Sequence, residues 1–220
     1  MPDAARHPRP LVATLRPEGV DAAAVDRAAD VLAQAFLTDP YTLGLLPADR
    51  QAERLTGKFA ARIRSALHAA GSGAETPGAV DLALDPHDGA VLAVAVWERP
   101  GPRHAVTLPG RVASVPGLWR VHGRHTVDQM RIDASCERHR PEAPHWYLVD
   151  VGTAPDAQGR GAASALVRRR QREAAAAGVG MHLEAATPAL VPFYARLGFA
   201  ETGVVPTPGA SRLTAMWWEA

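Results

Sequence analysis

VGTAPDAQGRGAASALV, Val151 to Val167, joins an apolar strand to an Ala/Leu-rich helix through a turn of small residues. In that turn Gln158, Gly159, Arg160, Gly161, Ala162 and Ala163 strip side-chain bulk from the point where the helix begins. Successive backbone N–H groups can then approach an anion closely. The helix N-terminus adds unpaired donors and a favourable dipole. The stretch predicts a seat for a phosphate-bearing cofactor within a strand–turn–helix unit.

Outward from this unit, strands and helices alternate without internal repeats or low-complexity tracts. Toward the N-terminus the pattern predicts a short strand over Leu11 to Arg16 and a helix over Val20 to Leu37, with Val25, Ala28, Ala29, Leu32 and Phe36 at helical spacing. Asp39-Pro40 ends that helix. A second helix spans Ala48 to Ala70 through Leu55, Phe59, Ile63 and Leu67, and the segment Thr38 to Leu46 between the two is a candidate substrate loop. Ala79 to Leu84 and Ala90 to Trp97 read as paired strands. A connector, Pro100 to Pro109, leads to helical stretches at Gly110 to Val121 and Gly123 to Arg138. The strand His145 to Val151 precedes the Gly-rich turn, and its helix runs to Ala177 with Gly178 as the C-cap. A strand at Gly180 to Ala185, a helix at Ala189 to Leu197, and strands at Phe199 to Val205 and Arg212 to Glu219 complete the order. This order suits a mixed α/β (α+β) sheet rather than an all-parallel one.

The 220 residues fit one domain, expected over 11–220 with a disordered tail over 1–10. Net charge is +1 with acids and bases interspersed, which argues against a nucleic-acid or anionic-membrane partner. Cys136 is the only cysteine, which excludes an intramolecular disulfide and fits a reducing compartment. No apolar h-region opens the chain and no run approaches a membrane span, so a cytoplasmic protein is expected. No His/Cys/Asp set has metal-ligand spacing, and no metal is expected.

Gln158, Gly161 and Ala163 match the Q/R-x-x-G-x-G/A pattern of the GCN5-related N-acetyltransferases (GNAT), with Pro155 three residues ahead and Thr153 in place of an aliphatic residue. Thr187 to Phe199, TPALVPFYARLGF, resembles the P-x-N-x-x-x-x-Y-x-x-x-G-F segment of the same family. In finer detail HRPEAPHWYLVDVGTAPDAQGRG, the AVAVW strand (Ala93 to Trp97) and the HLEAATP run resemble the puromycin N-acetyltransferase branch. The resemblance implies a mostly antiparallel central sheet of about seven strands with helices on both faces. It also implies acetyl-CoA as cosubstrate, its pyrophosphate on the amides of Gln158, Gly159, Arg160, Gly161, Ala162 and Ala163, with Arg160 adding charge.

Acetyl transfer needs a fixed thioester, a neutral amine, oxyanion stabilisation and a proton for the departing sulfur. The resemblance makes Leu148 to Thr153 a bulged strand, with Val151 offering the oxyanion amide and Thr153 a further main-chain contact; Gly152 would permit the bulge. Tyr194 takes the position of the acid that protonates the CoA sulfur. For the base, Glu184 corresponds to the branch's glutamate and Asp150 is the second choice; a salt bridge to arginine is the competing role of each.

Two departures concern the partners. Leu190 stands where the family has asparagine, removing one polar contact to the cofactor arm. Asp39, near Tyr41, replaces an aromatic residue of the puromycin enzymes, and a carboxylate at the mouth favours a cationic amine. Trp119 is a candidate pocket wall. The acceptor implied is the primary amine of a small molecule, such as an aminonucleoside or an amino-acid-like antibiotic, on a monomer or homodimer. A protein or peptide acetyltransferase and a non-catalytic acyl-CoA sensor are the alternatives. A dinucleotide site on Gly159, Gly161 and Ser164 is a third, weakened by its missing last glycine.

Overall fold

The computed structural model describes residues 8–17, 21–68, 78–101, 108–208 and 212–220. Seven strands form one sheet in the order β1-β2-β3-β4-β5-β7-β6: β1 (Leu11–Thr14), β2 (Gly78–Leu84), β3 (Val91–Glu98), β4 (His145–Thr153), β5 (Gly180–Ala185), β6 (Ala200–Pro206) and β7 (Arg212–Trp218). Every neighbouring pair is antiparallel except β4 with β5. Helices α1 (Ala22–Phe36), α2 (Pro40–Gly44) and α3 (Gln51–His68) come before β2, α4 (Leu108–His122) and α5 (Thr126–His139) before β4, α6 (Ala162–Ala177) before β5, and α7 (Val191–Ala195) before β6.

The elements follow the apolar pattern, and their ends follow local chemistry. The first helix starts at Ala22, where the Asp21 carboxylate accepts the Ala23 N–H. The expected substrate loop contains α2, capped by Asp39. The helix after the Gly-rich turn starts at Ala162 rather than Gly159, because Gly159 and Gly161 hold φ of 77° and 78°. Three-ten turns cover Gly123–His125, Pro155–Ala157 and Pro188–Leu190; the last takes the first part of the expected helix at Ala189 to Leu197. Most of the expected tail, 1–7, and much of the connector, 102–107, fall outside the described residues.

Two faces of the sheet carry different cores. On one, α6 and α7 cover Ala93, Ala95, Trp97, Trp146, Leu148, Met181 and Leu183, with Leu166, Val167 and Tyr194 in the same cluster. Arg170 of α6 is buried there, bonded to Asp81 of β2 and Glu173 and stacked 4.1 Å from the Trp146 ring. On the other face the packing divides. One cluster joins α1 and α3 to Val80, Leu82, Val94 and Val96. A separate one joins Ile132 of α5 to Val205, Leu213 and Ala215, with Tyr41 and Cys136 at its edge. The sheet itself opens between these two clusters.

Candidate active site

The opening follows from strand register. β4 and β5 pair over three positions only, His145, Trp146 and Tyr147 with Gly180, Met181 and His182; β4 then continues to Thr153 and β5 to Ala185 without pairing. Past Tyr147 the β4 edge that faces β5 carries no strand, leaving alternate backbone groups of 148–153 open to a ligand. Val151 and Thr153 lie on this stretch and pair on their other side with Ala95 and Ala93.

A bulge in β4 is present, but it lies at Val149 and not at Gly152. Val96 pairs with Asp150 and Trp97 with Leu148, so Val149 is the extra residue. Gly152 serves a different purpose, since a Cβ there would come 2.8 Å from the Ala35 Cβ and 3.1 Å from the Leu32 Cδ2 of α1. Its missing side chain lets α1 lie close on the strand. The bulge resets the alternation of faces: Leu148 and Val151 belong to the α6-side core, whereas Tyr147 and Asp150 both turn toward α3 and α5.

At the C-terminal end of β4, Pro155–Ala157 makes a tight turn into the glycine loop. Gly161 is the N-cap of α6 and no side chain caps that end. Its carbonyl accepts the Ala165 N–H, while the amides of Ala162, Ala163 and Ser164 have no backbone acceptor among the described residues. A Cβ on Gly159 or Gly161 would meet nothing within 4 Å, so the loop opens onto free space. Orphan donors, a helix dipole and room for a group against the backbone together fit a diphosphate. Arg160 lies 3.8 Å from Asp85 in the turn before β3, an ion pair that leaves part of its guanidinium accessible.

Tyr194 reaches the opening from the α6 side. Its ring packs edge-on to Phe193 and Phe199, at centroid distances of 5.0 and 5.9 Å, and its hydroxyl has no hydrogen-bond partner among the described residues. Burial, then the charge of Asp150, pushes its pKa above the ordinary phenol value.

The opposite face holds a group of ionisable side chains between the two apolar clusters. Arg62 of α3 lies 3.3 Å from Asp150. Lys58, one helical turn earlier, faces Asp150, Arg62, Asp133 and Asp39, and burial pushes its pKa down. Asp133 of α5 is hydrogen-bonded by Gln129 Nε2 at 2.8 Å, and burial pushes its carboxyl up. Tyr147 donates to Glu184 Oε2 at 2.7 Å, and the other Glu184 oxygen lies 3.0 Å from His182 Nε2. The Tyr147 ring also stacks near His182 and beneath the Arg140 guanidinium, 4.1 Å away. Cys136, surrounded by Glu184 and Asp133, has its thiol pushed up to about 12, mainly by burial. His122, closing the side toward α4, donates from Nδ1 to the Leu45 carbonyl at 2.9 Å and is pulled down to about 4 by burial.

Residues 126–199, the span from α5 through α7, match the Acetyltransferase (GNAT) family. The crystal structure of histone acetyltransferase HPA2 and related acetyltransferase from Corynebacterium glutamicum is similar over 97% of this chain and 98% of that one, with 28% identity and a TM-score of 0.70. The chain shares the fold of the GNAT acetyltransferases, and its residues 126–199 carry the family's sequence match. Match and fold together make it an acetyl-CoA-dependent N-acetyltransferase. The same fold recurs at lower identity. PaiA N-acetyltransferase from Thermoplasma acidophilum, solved with coenzyme A, is 9% identical at a TM-score of 0.54, covering 96% of this chain and 99% of that one. Arylalkylamine N-acetyltransferase 2 from Aedes aegypti is 12% identical at 0.58, covering 94% and 98%.

In this acetyltransferase the residues expected from sequence divide into those that converge and those that do not. Val151, Thr153, the 158–163 loop and Tyr194 line the gap from its α6 side, and Asp150, Glu184 and Tyr41 border it on the other. Asp39 departs from its expected role as an open carboxylate at the mouth. Its oxygens accept the Tyr41 N–H, the Thr42 N–H and the Thr42 hydroxyl, so its charge is held by the α2 cap. Trp119 is 62% exposed on α4. Glu184 and Asp150 are each committed to a neighbour. Sequence reading missed Lys58, Arg62, Asp133 and Tyr147. Lys58 and Arg62 at i, i+4, and Gln129, Asp133 and Cys136 at i, i+4, i+7, are helical stripes that would have exposed them.

Proposed function

We propose that this acetyltransferase moves an acetyl group from acetyl-CoA to the primary amine of a small molecule by direct attack in a ternary complex. The observation that carries this reading is the gap between β4 and β5, with unsatisfied amides on one side and an ionisable cleft on the other. The cofactor is assigned to the amides around Gly161 and the open β4 edge. Acetyl-CoA supplies an activated thioester when bound. The β4 main chain near Val151 stabilises negative charge on the carbonyl oxygen. Tyr194, held protonated by burial, gives a proton to the departing sulfur. The amine proton passes to the Tyr147 oxygen as the Tyr147 proton moves to Glu184, making Glu184 the final acceptor.

Enclosure of the cleft by α2, α3 and α5 favours a small acceptor over a protein tail, although the Corynebacterium structure carries the name of a histone acetyltransferase. Other proteins of this fold are named for polyamine, agmatine or arylalkylamine acetylation. Within this class, the puromycin-like sequence blocks favour an aminonucleoside or amino-acid-like antibiotic. One domain over 11–220, acting as monomer or homodimer in the cytoplasm, completes the reading. The test is a mass-spectrometric screen of small amines and peptides with acetyl-CoA. Acetylated small amines with stoichiometric CoA release are expected; transfer to peptide N-termini alone would refute it.

A further inference from the structure

The cleft on the α3/α5 side holds both signs of charge, and they are not all spent on each other. Asp39 is committed to the α2 cap, Glu184 to Tyr147 and His182, and one edge of Arg62 to Asp150. Lys58 Nζ has no ion pair within 4 Å and no hydrogen bond among the described residues, although it is half-buried and the charges of Asp133 and Asp150 act on it. Its nearest recorded ring contact is Phe59, 5.4 Å away. Among the described residues Asp133 likewise has no cation within 4 Å, and its side chain takes one bond, from the neutral Gln129 amide. Tyr41, between them and Glu184, has a buried hydroxyl with no partner among the described residues.

We infer that the acceptor is a zwitterion, an amine that also carries a carboxylate, with the carboxylate held by Lys58 and the free edge of Arg62 and the ammonium received on the Asp133 side. A plain cation would meet Asp133 and Asp150 but also the two uncompensated cationic edges on α3. A plain anion meets the reverse conflict. An acceptor with both charges satisfies both sets and leaves the cleft's total charge unchanged. A ligand that displaces water from these charges must replace it with partners of its own, so one carrying both charges is selected over analogues that leave a desolvated group unpaired. Tyr41 offers a neutral donor to the same carboxylate or to a polar group beside it.

This inference rests on the acetyltransferase reading, and its test separates the two. Amino acids and their decarboxylated amines are compared pairwise as acceptors, for example phenylalanine with 2-phenylethylamine and lysine with cadaverine, by CoA release and product mass. The wild-type protein is expected to favour the acid of a pair by about tenfold to hundredfold in kcat/KM, the range of one lost charge-assisted hydrogen bond. Lys58→Met should lower that ratio by a similar factor through KM for the acid, and Lys58→Arg should recover much of it. Retention of the acetyl-CoA thermal shift in both variants establishes that they fold. Equal or better use of the decarboxylated amines, or an acid-to-amine ratio that Lys58→Met leaves intact, overturns the zwitterion assignment while acetyl transfer stands. Failure of every acid, amine and peptide to be acetylated overturns both.

Discussion

Gly161→Ala tests whether the loop before α6 is shaped for its ligand or only for its own turn. Gly161 has φ of 78° and an added Cβ would meet no protein atom within 4 Å, so the fold pays only for a left-handed alanine. That is about 1–2 kcal/mol of stability, or a fall of roughly 2–8 °C in Tm for a chain of this size. Ligand binding should suffer separately. The Cβ enters the space faced by the amides of Ala162, Ala163 and Ser164, and displacing a diphosphate oxygen from one or two of them forfeits about 1.5–3 kcal/mol each. The expected loss in CoA affinity is therefore about tenfold for one contact and several hundredfold or more for two. Urea denaturation without ligand gives the first quantity and calorimetric titration with CoA the second. A variant that loses stability as stated but binds CoA with wild-type affinity refutes the placement of the diphosphate on these amides.

Tyr194→Phe should reduce kcat about a hundredfold while changing KM for acetyl-CoA little, because the hydroxyl makes no bond that supports the fold; steady-state kinetics read both. His122, pulled from 6.5 to about 4 mainly by burial and further by the nearby Lys58 and Arg62, is buried neutral beside the Leu45 carbonyl. The unfolded chain takes up the proton first, so its contribution is complete above about pH 6.5 and is lost as pH falls toward 4. Denaturation across that window should show His122→Gln losing about 3 kcal/mol less than the wild type. Gly152→Ala should destabilise by about 1–3 kcal/mol, since α1 must retreat from β4; an unchanged urea midpoint would mean the contact is slack.

The sequence made the backbone-built half of the site legible and hid the half built from side chains. A Gly-rich turn at 158–161 declares its chemistry in one dimension, because glycine at positive φ and orphan amides at a helix start are local properties. The charged cleft gathers Lys58, Arg62, Asp133, Tyr147 and Glu184 from two helices and two strands, and no spacing in the sequence joins one helical stripe to the other or to the strands. Asp39 was the clearest misreading: an Asp-Pro pair opening a short helix is a capping signal, and the cap claimed the carboxylate. Gly152 drew attention to a bulge that lies three residues upstream of it, at Val149, because a glycine suited to close packing looks the same in sequence as one suited to irregular backbone.

The extra residue at Val149 gives β4 something like a reading frame. Residues before it and residues after it are assigned to opposite sides of the sheet by opposite parity, which is how Tyr147 and Asp150, an odd and an even position, come to serve one cleft. Substitutions within the strand alter single walls of the acceptor site. Losing Val149 would regularise the strand: Leu148 and Asp150 would follow one another opposite Trp97 and Val96, in unbroken alternation with each flank keeping its face. The cleft is thus open to point changes at Tyr147 and Asp150, which the bulge keeps on one face three positions apart.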